Sequence, residues 1–133
     1  MLSLLLAGHS ALVALALLLG SPPPGLHVGI GTVFSNPDRY NPDPSLACAR
    51  RLYGAVRDLD PAAAVVALPA RLAPCGARVT ICRLRAPVRC VEARVEDRGP
   101  RRALIDMTPA VARAIGHNGR EAVVVRVGRG DDR

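Results

Sequence analysis

One stretch of the chain, residues 90–116 (CVEARVEDRGPRRALIDMTPAVARAIG), constrains its fold more than any other. Val91 and Val95 alternate with polar residues, the pattern of a half-buried strand. Gly99-Pro100 is a turn signal that brings the chain back on itself. Ala103 to Asp106 reads as a second, short strand. Thr108 followed by Pro109 opens a helix with a cap and a proline at its first position, and Gly116 closes it. Asp97 and Asp106 sit at the ends of the two strand-like pieces, with Arg101 and Arg102 between them. A turn that gathers acids beside arginines is a candidate active site, which isolated acids are not.

The rest of the 133 residues allow one domain. Leu2 to Leu19 is apolar and free of charge, and Gly20-Ser21 and Pro22-Pro23-Pro24 follow it. A short apolar run, small residues and a helix-breaking tail form the end of a secretory signal. An uncleaved anchor is the competing reading, although His9 and Ser10 would then lie in hydrocarbon. Residues 1–25 are thus read as signal or anchor plus linker, 26–128 as the folded domain and 129–133 as a charged tail. The only membrane contact expected is through the first segment, and either reading puts the domain outside the cytoplasm.

The cysteines agree. Cys48, Cys75, Cys82 and Cys90 all follow the apolar leader, and an even set in a small exported domain is a disulfide framework. A zinc site is the alternative, but no CxxC pair is present. Of the three pairings four cysteines allow, Cys82–Cys90 with Cys48–Cys75 is favoured, because Cys82 and Cys90 flank what reads as a hairpin end. No metal or cofactor is expected.

All 18 basic residues are arginine and the formal charge is +7. A basic exported domain favours anionic partners such as wall glycans or phospholipid surfaces. Only Phe34, Tyr40 and Tyr53 are aromatic, which leaves little to stack on bases and equally no aromatic platform for sugar rings; nucleic acid is not the expected partner.

Further elements read as follows. His27 to Phe34 is a first strand, its glycines permitting close approach. Ser35 to Pro44 is a loop, and Ser45 to Tyr53 a short capped helix. Ala62 to Leu68, Ala77 to Arg83, Val88 to Glu96 and Ala122 to Val127 are strands. His117 falls in a surface turn after the second helix. Six short strands and one or two small helices make a small closed barrel, mainly β.

Three segments, in order, resemble the double-psi β-barrel of rare-lipoprotein-A-like proteins and their expansin and barwin relatives. Residues 72–79, LAPCGARV, are similar to the family's TLPCGTRV. Residues 95–100, VEDRGP, are similar to VNDRGP, and residues 104–116, LIDMTPAVARAIG, to IDLSPAAARALG. The resemblance implies a six-stranded double-psi β-barrel acting on peptidoglycan or another cell-wall polysaccharide; a monomer is expected. By position, Asp97 and Asp106 would be catalytic, with Asp97 the acid of a lytic transglycosylase. Glu96, Arg98, Arg101 and Arg102 would bind substrate, the arginines by bidentate pairing with carboxylates. The family's active members carry a GExFD segment and a histidine before the TLP turn. Here GExFD is absent and Ala70 stands near the histidine position, which keeps a non-catalytic, expansin-like wall-binding module as the alternative.

Overall fold

The computed structural model describes residues 25–34 and 43–128. The leader, most of the 35–44 loop and the charged tail lie outside the described residues.

Six strands close into a barrel: β1 (Leu26–Val33), β2 (Val65–Ala67), β3 (Arg78–Arg83), β4 (Cys90–Asp97), β5 (Ile105–Met107) and β6 (Arg120–Val127). Helix α1 (Ala49–Tyr53) precedes β2, and α2 (Pro109–Ile115) lies between β5 and β6. Around the barrel the order is β1-β5-β2-β4-β3-β6. Two pairs are parallel, β1 with β5 and β2 with β4, and the other four are antiparallel. The mainly β, closed six-stranded barrel with two short helices expected from the sequence is therefore present.

Alternation explains the long strands. Val79 and Ile81 on β3, Ala93 and Val95 on β4, and Val123 and Val125 on β6 point inward and are all buried. Val66, Leu68, Ile105 and Met107 fill the same core, and Val111 and Ile115 of α2 cap it. Each Val, Leu, Ile or Met side chain among them contributes about 1.5–3 kcal/mol when removed from water. Gly31 leaves room for this packing: a Cβ there would stand 2.9 Å from the Met107 methyl and 3.1 Å from Val123. A second cluster lies outside the barrel, where Leu46 and Ala49 cover Val65.

Helix α2 begins and ends where its local signals place it. The Thr108 hydroxyl accepts from the Val111 N–H and donates to the Ala63 carbonyl at 2.6 Å, and Gly116 ends the helix at φ 65°. Arg83 and Arg85 both donate to the Gly116 carbonyl at 2.8 Å, placing positive charge at the negative end of the helix dipole.

Several boundaries differ from expectation. Helix α1 starts at Ala49 and not Ser45, because Ser45 forms an isolated bridge with Asp58 and its N–H goes to the Asp43 carboxylate. Cys48 then holds the cap position with no side-chain cap, its sulfur being in a disulfide. Strand β2 is three residues and not seven, because Asp60 accepts from the backbone N–H groups of Ala62 and Ala63 and holds them in a turn. Strand β5 runs one residue past Asp106. Gly99-Pro100 does not close a hairpin either: β2 is inserted between β4 and β5.

Candidate functional site

The insertion of β2 is what brings the two aspartates into one row. Thr32 of β1 is in register with Asp106 of β5, Asp106 with Ala67 of β2, and Ala67 with Asp97 of β4. A register shift between Val66 and Ala67 sets the last of these pairings. Register partners leave a sheet on one face, and adjacent strands are about 4.8 Å apart, so the Asp97 and Asp106 backbones are roughly 10 Å from each other. Val66, one residue earlier, belongs to the barrel core, so this row lies on the outer face. Ala67 itself is buried, while Asp97 and Asp106 are partly exposed.

Each carboxylate is held from the side. Asp97 Oδ1 accepts from the Ala47 N–H at 2.8 Å, and its Oδ2 makes no hydrogen bond among the described residues. Asp106 Oδ1 accepts from the Thr32 hydroxyl at 3.0 Å. Ala47 and Thr32 are not among the residues expected at the site from the sequence. One contributes only its backbone, and the other is joined to Asp106 by a parallel pairing 74 positions long.

The remaining predicted residues divide. Arg101 and Arg102 are exposed on the loop after β4. Arg98 is turned the other way, with Nη1 donating to the Ala73 carbonyl at 2.7 Å and to Leu68 at 3.3 Å, and Nη2 to Cys75 Sγ at 3.2 Å. Its guanidinium fastens the 69–75 loop to the barrel. Glu96, 6% exposed, accepts from the Tyr53 hydroxyl and lies 3.6 Å from Arg94 Nη1. Both side chains thus have partners within the fold. His117, expected on the surface, is partly buried, and its Nδ1 accepts from the Gly119 N–H at 3.0 Å.

Burial pushes the Glu96 carboxyl above the ordinary carboxylate range, and the nearby Arg94 does not offset it. The folded chain therefore holds a proton at Glu96 more readily than the unfolded chain does. Stability from that proton is complete below the unfolded carboxyl's range and is lost as pH rises through the folded value. Glu96→Gln keeps an acceptor for Tyr53 and removes the titration. Thermal midpoints of the two proteins should coincide in acid, with the variant gaining on the wild type as the solution is brought to neutral pH.

All four cysteines are paired, Cys48 with Cys75 and Cys82 with Cys90. The favoured connectivity is present, and the zinc alternative is gone because no thiolate remains to ligate. Cys82 and Cys90 are register partners at the end of the β3–β4 hairpin. Cys48–Cys75 adjoins the site on both sides, since Cys48 follows Ala47 and Cys75 Sγ receives Arg98. Two disulfides fit an oxidising, extracytoplasmic compartment.

The structure thus defines a class: a small, disulfide-stapled, six-stranded barrel with two acids on one outer row. No protein-family profile matches the chain, and no curated protein does. Among solved structures it is similar to a Streptomyces papain inhibitor, with a TM-score of 0.54 and 20% identity over 81% of this chain and 98% of the inhibitor. At that identity the likeness shows the shared fold.

Proposed function

We propose that the protein is an exported barrel that engages cell-wall glycan strands along the Thr32–Asp106–Ala67–Asp97 row, with Asp97 as the acid of a lytic-transglycosylase reaction. The observation that supports this reading is the placement of Asp97 and Asp106 in one row on either side of Ala67, together with the resemblance of the segments that hold them to rare-lipoprotein-A-like barrels. Asp97 Oδ1 is anchored by Ala47, so Oδ2 is the oxygen left to meet a substrate. In this scheme the Asp97 carboxylic acid protonates the glycosidic oxygen as the bond to the anomeric carbon breaks. A hydroxyl of the same sugar attacks that carbon, and its proton returns to the Asp97 carboxylate. An anhydro-sugar end results, with no water consumed. Arg101 and Arg102 supply cations at the rim for glycan carboxylates.

Incubation with peptide-free glycan strands, followed by mass spectrometry, should reveal anhydro-sugar ends. Asp97→Asn keeps an oxygen for the Ala47 N–H and should lower their yield by about a hundredfold or more, the usual contribution of a general acid. Unchanged yield from that variant would remove Asp97 from the chemistry.

A second reading is favoured by Ala70 at the family's histidine position and by the commitment of Arg98 to loop carbonyls. There the barrel binds wall polysaccharide without cutting it. Pelleting with insoluble wall material and no anhydro ends would select it. The barrel shared with the papain inhibitor gives a third outcome, and slowing of papain by the purified chain would replace both glycan readings.

A further inference from the structure

A groove of about 440 Å³ on the outer face of β3 and β4 lies apart from the aspartate row, lined by Ala64, Gly76, Arg78, Glu92, Ala93 and Arg94. Arg78 and Arg94 are register partners on these antiparallel strands, so their side chains leave the same face with Cβ atoms about 5 Å apart. Like charges placed directly opposite one another destabilise a sheet. Among the described residues the ion pairs are Arg85–Glu121 and Arg94–Glu96, and Arg78 belongs to neither.

Arg94 is held in a defined orientation. Its Nη1 donates to the Tyr53 hydroxyl at 3.3 Å and lies 3.6 Å from Glu96 Oε1. Its Nε and Nη2 make no hydrogen bond among the described residues. That edge borders Gly76, where a Cβ would stand 3.3 Å from Nη2 and 3.7 Å from Nε. Gly76 adopts φ +84°, and a Cβ there would also stand 2.9 Å from Leu52 Cδ2, so glycine serves the turn and lets Leu52 and the guanidinium pack beside it.

We propose that this groove is a second binding site, which takes a carboxylate-bearing sugar of an acidic glycan. The Nε–Nη2 edge of Arg94 matches a planar carboxylate bidentately, and Arg78 supplies the second cation. Glu92, at the same groove, accepts from sugar hydroxyls beside the carboxylate. It also disfavours a doubly charged phosphate, which it repels more strongly than a single negative charge. The formal charge of +7 draws such a polymer in from solution. The choice of a glycan rests on the function proposed above; the anion site itself rests on the arginine pair.

The test is calorimetric titration of the purified, disulfide-intact chain with polygalacturonate, using neutral dextran and a DNA duplex as references. Polygalacturonate should bind more tightly than either. Arg78→Gln should weaken it about tenfold, the loss expected for one charge-assisted contact. Arg94 is left intact because it also holds Tyr53 and Glu96. Arg113→Gln removes the same charge from an exposed position on α2 and should change affinity less than about twofold, as a distant charge screened by salt does. Equal losses from the two substitutions would reduce the effect to net charge and overturn the site. Equal binding of dextran or of the duplex would overturn it too. Polygalacturonate bound at Arg78 by a protein that neither cleaves nor pellets with wall material would reject the proposed function alone. Wall cleavage without polygalacturonate binding would reject this site alone.

Discussion

Replacing Cys48 and Cys75 together by alanine should lower the unfolding midpoint by roughly 15–25 °C, from a loss of about 3.5 kcal/mol. The crosslink spans 27 positions, and the loop-closure entropy it removes from the unfolded chain grows with that length. The Cys82–Cys90 bridge spans only 8 positions and joins strands that are already paired, so its loss should cost less, about 2.5 kcal/mol. The longer bridge also has a local consequence. It fixes the segment whose Ala47 N–H holds Asp97, and it presents the sulfur that receives Arg98. Whatever Asp97 does to a ligand should weaken in the Cys48→Ala/Cys75→Ala protein even where it remains folded, and not in its Cys82→Ala/Cys90→Ala counterpart. Thermal denaturation of both double variants, with the glycan assay run well below their midpoints, checks both statements. Equal midpoints for the two would contradict the length argument.

Arg98→Met should cost roughly 2–4 kcal/mol in denaturant unfolding. Methionine keeps much of the apolar stem but leaves the Ala73 and Leu68 carbonyls without their donor, and a buried unsatisfied acceptor costs about 1–3 kcal/mol. Arg98→Lys should rescue little, because an ammonium cannot span two carbonyls and a sulfur as the planar fork does. Arg101→Ala and Arg102→Ala, at exposed positions of the same loop, should stay within about 0.5 kcal/mol of wild type. The contrast separates three arginines that look equivalent in the sequence. If Arg98→Met unfolds like the wild type, the guanidinium does not fasten the 69–75 loop.

These contrasts mark what could be read in advance and what could not. Helix α2 was legible to the residue, since Thr108, Pro109 and Gly116 are local signals that act within one turn. The β3–β4 hairpin and both disulfides were legible for a similar reason: alternation and cysteine spacing bracket the hairpin. The route by which Asp97 and Asp106 come into one row was not. Their approach was expected from the Gly99-Pro100 turn, but their common row is set by β2, a three-residue strand whose Ala67 lies 30 positions upstream of its partner Asp97. Nothing local marks β2 as the spacer. The same nonlocal fact separates Glu96 from Asp97. Successive residues on a strand face opposite ways, but the shift at Val66/Ala67 sets which of the two lies opposite Ala67. Asp97 joins the outer row, while Glu96 goes under Tyr53 and Arg94. A motif that lists them side by side cannot tell them apart.

The proposed function places the glycan on the Thr32–Asp106–Ala67–Asp97 row. Titration of isotope-labelled protein with a peptide-free wall glycan oligosaccharide, followed through backbone amide chemical shifts, measures it most directly. The amides of Thr32, Ala47, Ala67, Asp97 and Asp106 should move together and saturate together. Saturable shifts confined to other strands, with these five unmoved, would contradict it.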